Sequence, residues 1–167
     1  MLCSIAAKLK QRIIMNKFLF DEDLPVLGPH DTADITRGVC RYLRNLNYSV
    51  MVEFKLKSKR RVDVIGLNSA GKYIIVEIKS SVNDFKLDKK WHEYTPFADR
   101  FYFAVANGFP IELLPSDYGV MIADAYHAHI LRDAPILGVN ANRRKHQNIL
   151  FAKTAANRLY RTIDKDL

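Results

Sequence analysis

The chain has 167 residues, of which 49% are hydrophobic, and a formal net charge of +8 at pH 7. This length and composition predict one ordinary globular domain that can bury a core without a disulfide or a structural metal. No apolar run approaches the roughly 18 residues of a membrane span, which excludes an integral membrane protein. The basic charge favours a polyanionic partner.

The first predicted segment is an N-terminal helix or extension at 1–30, and a single domain at 31–167 follows it. The start of this segment is basic and free of acidic residues, which superficially resembles a transit peptide. We prefer an upstream start codon, with Met15 as the alternative, or a frayed N-terminal helix. Cys3 and Cys40 match no metal-ligand spacing, so we expect free thiols in a reducing compartment, with the cytoplasm as the location.

A helix over about 32–46 is predicted next, because apolar residues recur at helical spacing after Asp and Thr cap candidates. Three strands follow at "YSVMVEFKL", "RVDVIGL" and "KYIIVEIKS", joined by the short turns "KSKR" and "NSAG", so they form an antiparallel meander. Alternation in the first strand predicts that one face carries Tyr48, Val50, Val52, Phe54 and Leu56. The other face then carries Ser49, Met51, Glu53 and Lys55.

The second half of the chain predicts a helix over 82–97, opened by Ser81 and Asp84 at capping-box spacing. This helix is a crossover, so the next strand, "RFYFAVA", runs parallel to the third. A hairpin in "VMIADAYHAHIL" and an amphipathic helix in "QNILFAKTAANRLYRTI" close the chain. The predicted fold is therefore α/β, with a mixed sheet flanked by helices and a C-terminal hairpin and helix.

Charged residues stand inside the third strand, although its β-branched residues predict burial. Glu77 and Lys79 share a face with Tyr73 and Ile75, since side chains repeat every second residue. With the "NSAG" turn centred near residue 70, Asp63 on the second strand faces Glu77. Facing carboxylates destabilise a sheet unless something compensates for their charge.

A divalent cation is the obvious compensator, because Mg²⁺ takes oxygen ligands from two or three carboxylates. We expect Asp63 and Glu77 to be metal ligands and Glu53, at the same level of the first strand, to be a third. Lys79 on the same face can hold a metal-bound water or neutralise charge on a phosphate. Mn²⁺ can substitute for Mg²⁺.

The pattern of Asp63 followed fourteen residues later by Glu77-Ile78-Lys79 resembles the PD-(D/E)XK nuclease superfamily, with its restriction-endonuclease-like fold. Val62 stands where the motif has Pro, at a position that carries no chemistry. The runs "RGVCRYL", "RRVDVIGL", "IVEIKSSVNDFKLDKKWHEY", "DRFYFAV" and "ILFAKTAANRLYR" are similar to the MmcB-like family of bacterial proteins, which is associated with DNA repair. This resemblance covers about residues 35–160.

The resemblance implies a metal-dependent nuclease that hydrolyses DNA phosphodiester bonds in repair, with Asp63, Glu77 and Lys79 as the catalytic residues. Backbone contacts would then direct DNA binding rather than base recognition. The candidate DNA contacts, chosen for charge or for a helix N-terminus near the site, are Arg60, Arg61, Ser81, Lys86, Lys89, Lys90, Arg143, Arg144 and Lys145. The sequence leaves open whether the chain forms a homodimer that cuts both strands.

Alternative interpretations remain for these residues. Asp63 with Arg61, and Glu77 with Lys79, can form a structural ion network, and the chain can be a DNA-binding module that cuts poorly or not at all. Trp91 and Tyr94, at helical spacing, more often pack a core than stack on a base. The sequence favours a capping role for Asp84 and leaves Asp88 undecided.

Two further motifs are rejected as functional sites. "GLNSAGKY" has phosphate-loop spacing but lies between two strands, so it is predicted to be a hairpin. His127 and His129 share one strand face, but no third metal ligand has suitable spacing. We expect exposed or core histidines there.

Overall fold

The computed structural model describes residues 31–164. The predicted N-terminal helix or extension at 1–30, with Cys3 and Met15, lies outside the described residues, as do residues 165–167.

Six strands form one mixed sheet in the chain order β1-β2-β3-β4-β5-β6. The strands are β1 Ser49–Lys55, β2 Arg61–Leu67, β3 Tyr73–Lys79, β4 Arg100–Val105, β5 Gly119–Ala123 and β6 Ala128–Arg132. The helices are α1 Thr32–Asn45, α2 Val82–Leu87 and α3 Ala141–Ile163, with short 3₁₀ turns at Trp91–Glu93, Thr95–Phe97 and Ile111–Leu113. Among these helices, none within residues 31–164 is long and apolar enough to cross a membrane.

The strand pairing confirms the predicted meander and crossover. β1, β2 and β3 pair antiparallel, and β3 pairs parallel with β4. β4 also pairs parallel with β5, which the sequence did not predict, while β5 and β6 form the predicted antiparallel hairpin. The sheet is thus antiparallel at both edges and parallel at its centre.

Each face of the sheet carries its own hydrophobic cluster. Ile74, Val76 and Ile78 of β3 face the cluster that α1 covers, whereas Tyr73 and Ile75 face the cluster on the side of α3. Glu77 and Lys79 alternate with the former set, so they point to the α3 side, as predicted.

The helix α1 approaches the β5–β6 turn so closely that one position admits only glycine. A Cβ on Gly38 would come within 2.0 Å of the Asp124 carbonyl oxygen. Nearby, the Arg41 guanidinium donates a 3.1 Å hydrogen bond to the Ala125 carbonyl. These contacts join α1 to the edge of the sheet.

The predicted alternation of the first strand is wrong beyond Val52. Glu53 has a φ of 50°, in the left-handed region, and this turn of the backbone reverses the sides of the following residues. Met51 and Phe54 consequently pack in the same cluster, although their spacing predicted opposite faces. The β1–β2 register is the same before and after Glu53, so only the direction of the side chains changes.

The predicted continuous helix over 82–97 is also wrong. α2 ends at Leu87, and two 3₁₀ turns, Trp91–Glu93 and Thr95–Phe97, complete the crossover. The chain becomes extended at Asp88, whose carboxylate accepts hydrogen bonds from Lys79 and from the Lys90 backbone N–H. Those bonds replace the helical path that the apolar spacing had indicated.

The C-terminal helix α3 begins at Ala141, six residues before the predicted segment "QNILFAKTAANRLYRTI". Asn140 caps it by accepting a hydrogen bond from the Asn142 backbone N–H. Phe151 is the apolar anchor in the cluster on this side, with its ring 5.8 Å from that of Phe54. The N-terminal half of α3 is therefore fixed to the sheet.

Candidate active site

The carboxylates of Asp63 and Glu77 come together where β2 separates from β3. The ladder from Val64–Val76 to Leu67–Tyr73 has the register that the turn predicted. At the next position the strands stop pairing, and the Ile78 backbone N–H donates a 2.8 Å hydrogen bond to Asp63 Oδ2. The side chain of Asp63 therefore replaces a backbone partner of β3.

Glu77, Lys79 and Asp88 form a buried ion network beside Asp63. Lys79 Nζ lies 3.2 Å from Glu77 Oε1 and 2.6 Å from Asp88 Oδ2. Glu77 and Lys79 are only 6% and 3% exposed, and within residues 31–164 Glu77 Oε2 has no hydrogen-bond partner. A buried polar atom without a partner is unfavourable, which marks this oxygen as the exceptional group of the site.

The surroundings perturb the ionisation of every member of the network. Burial, and then the charge of Asp63, raise the pKa of Glu77 to about 8. Burial also raises the pKa of Asp63 above its ordinary value, although the Ile78 hydrogen bond opposes this. Burial alone would lower the pKa of Lys79, but its hydrogen bond to Asp88 and the charge of Glu77 raise it. The lysine is therefore held as a cation between two carboxyl groups.

Aromatic side chains close the site toward the core. Trp91 is buried and packs edge-on against Phe103 and Tyr118, at ring distances of 5.1 and 4.9 Å, so its predicted packing role is confirmed. Tyr94 is buried too, and burial followed by the charges of Glu77 and the neighbouring aspartates raises its pKa to about 12. Its hydroxyl therefore stays protonated next to the acidic group.

Glu53, the predicted third ligand, points its carboxylate to a different partner. Arg61 Nε lies 2.6 Å from Glu53 Oε2, and the Glu53 side chain is 52% exposed. Its charge still contributes to raising the pKa of Asp63, so it lies within electrostatic reach of the site. In the part of the chain that the structure describes, no group of three or more His, Cys, Asp or Glu side chains is placed to hold a metal ion.

The other predicted DNA contacts near the site differ in whether another residue of the protein already binds them. Arg60 forms a two-pronged ion pair with Glu93, with both N–O distances at 2.7 Å. Ser81 accepts a 3.1 Å hydrogen bond from the Asp84 backbone N–H, which confirms the predicted cap. The three lysines of this region are all exposed: Lys86, Lys89 and Lys90.

The three predicted DNA contacts at the start of α3 also differ in how far they are exposed and paired. Arg144 is partly buried, with its side chain 21% exposed, and it donates two hydrogen bonds of 2.8 and 2.7 Å to the buried carboxylate of Asp99. Arg143 is exposed and lies 4.9 Å above the Phe97 ring, and Lys145 is exposed. Only Arg143 and Lys145 therefore present their charge to solvent.

The two rejected motifs have the structures predicted for them. The Asn68 side chain accepts hydrogen bonds from Ala70 and Lys72 in the hairpin turn, where Gly71 has a φ of 69°. His127 is exposed, and His129 is half-buried with a pKa lowered by burial.

The sequence model of the DNA repair protein MmcB-like family matches residues 27–166. The chain belongs to this family. The chain is also similar to a solved structure, the SPO1766 protein of unknown function from Silicibacter pomeroyi, with 41% sequence identity and a TM-score of 0.77 over 84% of this chain and 95% of that one. The sequence has no significant match among curated proteins. The predicted membership of the MmcB-like family is thereby confirmed.

Two acidic residues that the sequence does not assign to the site bind cations that it does assign. The Asp88 carboxylate binds Lys79 and the Asp99 carboxylate binds Arg144, two cations that were predicted to be functional. No local periodicity connects Asp88 to Lys79 or Asp99 to Arg144, which lies 45 residues away in the sequence. The one sequence signal that could have identified such residues is a charged residue directly next to a predicted buried strand.

Proposed function

We propose that this MmcB-like chain is a metal-dependent nuclease of the PD-(D/E)XK type, with a restriction-endonuclease-like core, that hydrolyses DNA phosphodiester bonds in repair. The observation that carries the proposal is the buried Glu77 Oε2, which has no hydrogen-bond partner among the described residues and belongs to a carboxyl group adjoining Asp63 and Lys79. Membership of a DNA repair family supports DNA as the substrate.

The residues present fit a divalent cation. Mg²⁺ prefers carboxylate oxygens and keeps several waters, so one or two carboxylates suffice to bind it. Asp63 and Glu77 would hold it, Glu77 through Oε2, which has no hydrogen-bond partner among the described residues. A divalent cation bound there would offset the repulsion that raises the pKa of Glu77, and it supplies Lewis acidity for water and phosphate.

The protein groups have separate tasks in this proposal. Lys79, kept cationic by Glu77 and Asp88, provides positive charge where negative charge develops on a phosphate. The Ile78 backbone N–H orients the Asp63 carboxylate by its hydrogen bond. Trp91 and Tyr94 exclude water from the inner side, which strengthens each of these interactions.

A second candidate is a DNA-binding module without cleavage activity. The observation in its favour is the closed arrangement of Lys79, which already has two carboxylate partners at 3.2 and 2.6 Å. A chain that only binds DNA gains nothing from gathering the carboxyl groups of Asp63, Glu77 and Asp88 in one place, which favours the nuclease.

A cleavage assay separates the two. Labelled duplex, single-stranded, nicked, flap and four-way-junction DNAs are incubated with Mg²⁺ or Mn²⁺, and wild type is compared with Asp63→Asn and Lys79→Met. We expect metal-dependent cutting by wild type and a loss of at least about 100-fold in both variants, as for other electrostatic catalytic groups.

The matched control is Glu112→Gln, on an exposed turn, which removes one carboxylate elsewhere and should cut like wild type. Circular dichroism checks that each variant is folded. Cutting that survives both site variants comes from a contaminant and overturns the nuclease assignment. Binding to DNA without cutting under every condition supports the second candidate.

A further inference from the structure

A groove of about 700 Å³ lies between α3 and the β1–β2 hairpin, on the α3 side of the sheet. Its cations come from both walls: Lys55, Lys57, Arg143, Lys153, Arg158 and Arg161. The acidic residue that lines it is Glu53, whose carboxylate is bound to Arg61. The groove is therefore strongly positive without a balancing charge.

The groove cations differ from the arginines that form ion pairs beside the site and at the start of α3. Arg60, Arg61 and Arg144 each pair with a carboxylate, at 2.6 to 2.7 Å. Within residues 31–164, no ion pair with a carboxylate is formed by any groove cation, and Arg158 instead donates to the Val52 and Glu53 carbonyls at 2.6 and 2.9 Å. α3 itself contains no acidic residue between Ala141 and Ile163. A merely solvated helix would mix both signs of charge.

The position of the groove connects it to the acidic site. Glu53 lines one end, and its charge acts on Asp63. Arg158 ties α3 to the backbone at Glu53, where φ is 50°, so the wall of the groove and the edge of the site are held together. From Arg143 to Arg161 the helix rises about 27 Å, the length of roughly eight phosphates along one strand of duplex DNA.

We infer that this groove binds the sugar–phosphate backbone of DNA and leads it to the site at Asp63 and Glu77. The inference rests on the proposed function for its choice of DNA. It adds five cations that were not among the candidate DNA contacts, namely Lys55, Lys57, Lys153, Arg158 and Arg161, and it excludes Arg144, whose charge is engaged by Asp99. Contacts of this kind are electrostatic and independent of base sequence.

The test is DNA binding by fluorescence anisotropy, in EDTA so that cleavage plays no part. The full chain is compared with Lys57→Gln/Lys153→Gln, which removes one cation from each wall. The matched control is Arg37→Gln/Arg44→Gln, two exposed arginines of α1 on the opposite side of the sheet. Both double variants change the net charge equally, and duplex and single-stranded DNA are both measured between 50 and 300 mM salt.

We expect the groove variant to raise the Kd at least about tenfold at 0.1 M salt and to reduce the slope of log K against log salt by about 2. The control should stay within about twofold of wild type. Equal weakening of both variants means that net charge alone acts, and an unchanged Kd in the groove variant means that DNA lies elsewhere; either overturns the inference. If only the groove variant loses DNA binding and the wild-type chain does not cut DNA, the groove is supported as the DNA-binding surface. The proposed nuclease activity is then rejected.

Discussion

The Glu77 carboxyl group is the most perturbed single residue of the site. Its pKa of about 8 lies far above the ordinary value of 4.5, first because of burial and second because of Asp63. Between those two pH values the folded chain holds a proton that the unfolded chain releases, so folding stability falls as the pH rises through this window. The protein thus keeps an arrangement that costs stability at neutral pH, which is typical of functional sites.

Glu77→Gln should therefore stabilise the metal-free protein, and more so at high pH. At pH 5 the wild-type carboxyl is protonated and resembles the amide, so the two proteins should unfold at similar urea concentrations. At pH 8 the variant should be more stable by about 2–4 kcal/mol. Glu112→Gln, on the exposed turn, should show no such pH-dependent difference. A variant that is less stable at both pH values would contradict this account of Glu77.

At the scale of elements, the charged start of α3 fixes this helix to the sheet and also presents charge to solvent. Arg144 joins Asp99 to the Gly71 carbonyl, and Asp99 also accepts a 2.7 Å hydrogen bond from the Tyr73 backbone N–H. Burial alone would raise the pKa of Asp99, but the hydrogen bond from Arg144 and its other partners lower it. Three elements, β3, β4 and α3, meet at this ion pair.

Arg144→Gln should destabilise the fold, whereas Lys145→Gln should not. Removing the arginine leaves a buried carboxylate with less compensation, a change that costs about 3 kcal/mol or more in comparable buried pairs. Lys145 is exposed, and its substitution should change stability by less than about 0.5 kcal/mol. Urea unfolding of both variants measures the difference. Equal stability of the two would show that the Arg144 pair is not an anchor.

At the scale of the whole molecule, the two faces of the sheet differ in what they carry. α1 closes one face with an apolar cluster, while the other face carries the acidic site and the basic groove beside α3. A ligand bound only by the folded chain stabilises that chain in proportion to the logarithm of its concentration. The proposed metal binding can therefore be tested without any substrate.

Mg²⁺ should raise the melting temperature of wild type. At a concentration ten times the Kd the stabilisation is about 1.4 kcal/mol, which corresponds to a rise of about 3–5 °C for a domain of this size. Asp63→Asn should lose this response, and Asp117→Asn, an exposed aspartate, should keep it. Differential scanning calorimetry with 10 mM Mg²⁺ or with EDTA makes the comparison. The same rise in all three proteins would place the metal elsewhere.

The amino-acid sequence by itself determined the strands, the register between β2 and β3, and the pair of carboxylates at Asp63 and Glu77, because these features depend on local periodicity and on a short turn. The tertiary structure alone decided the rest. Asp88 reaches Lys79 only because α2 ends early, Asp99 meets Arg144 only when α3 docks, and the turn of the backbone at Glu53 is held by Arg158 from a distant helix. Such contacts join side chains of different elements, and local periodicity predicts which face of an element is buried but not which distant residue it will meet.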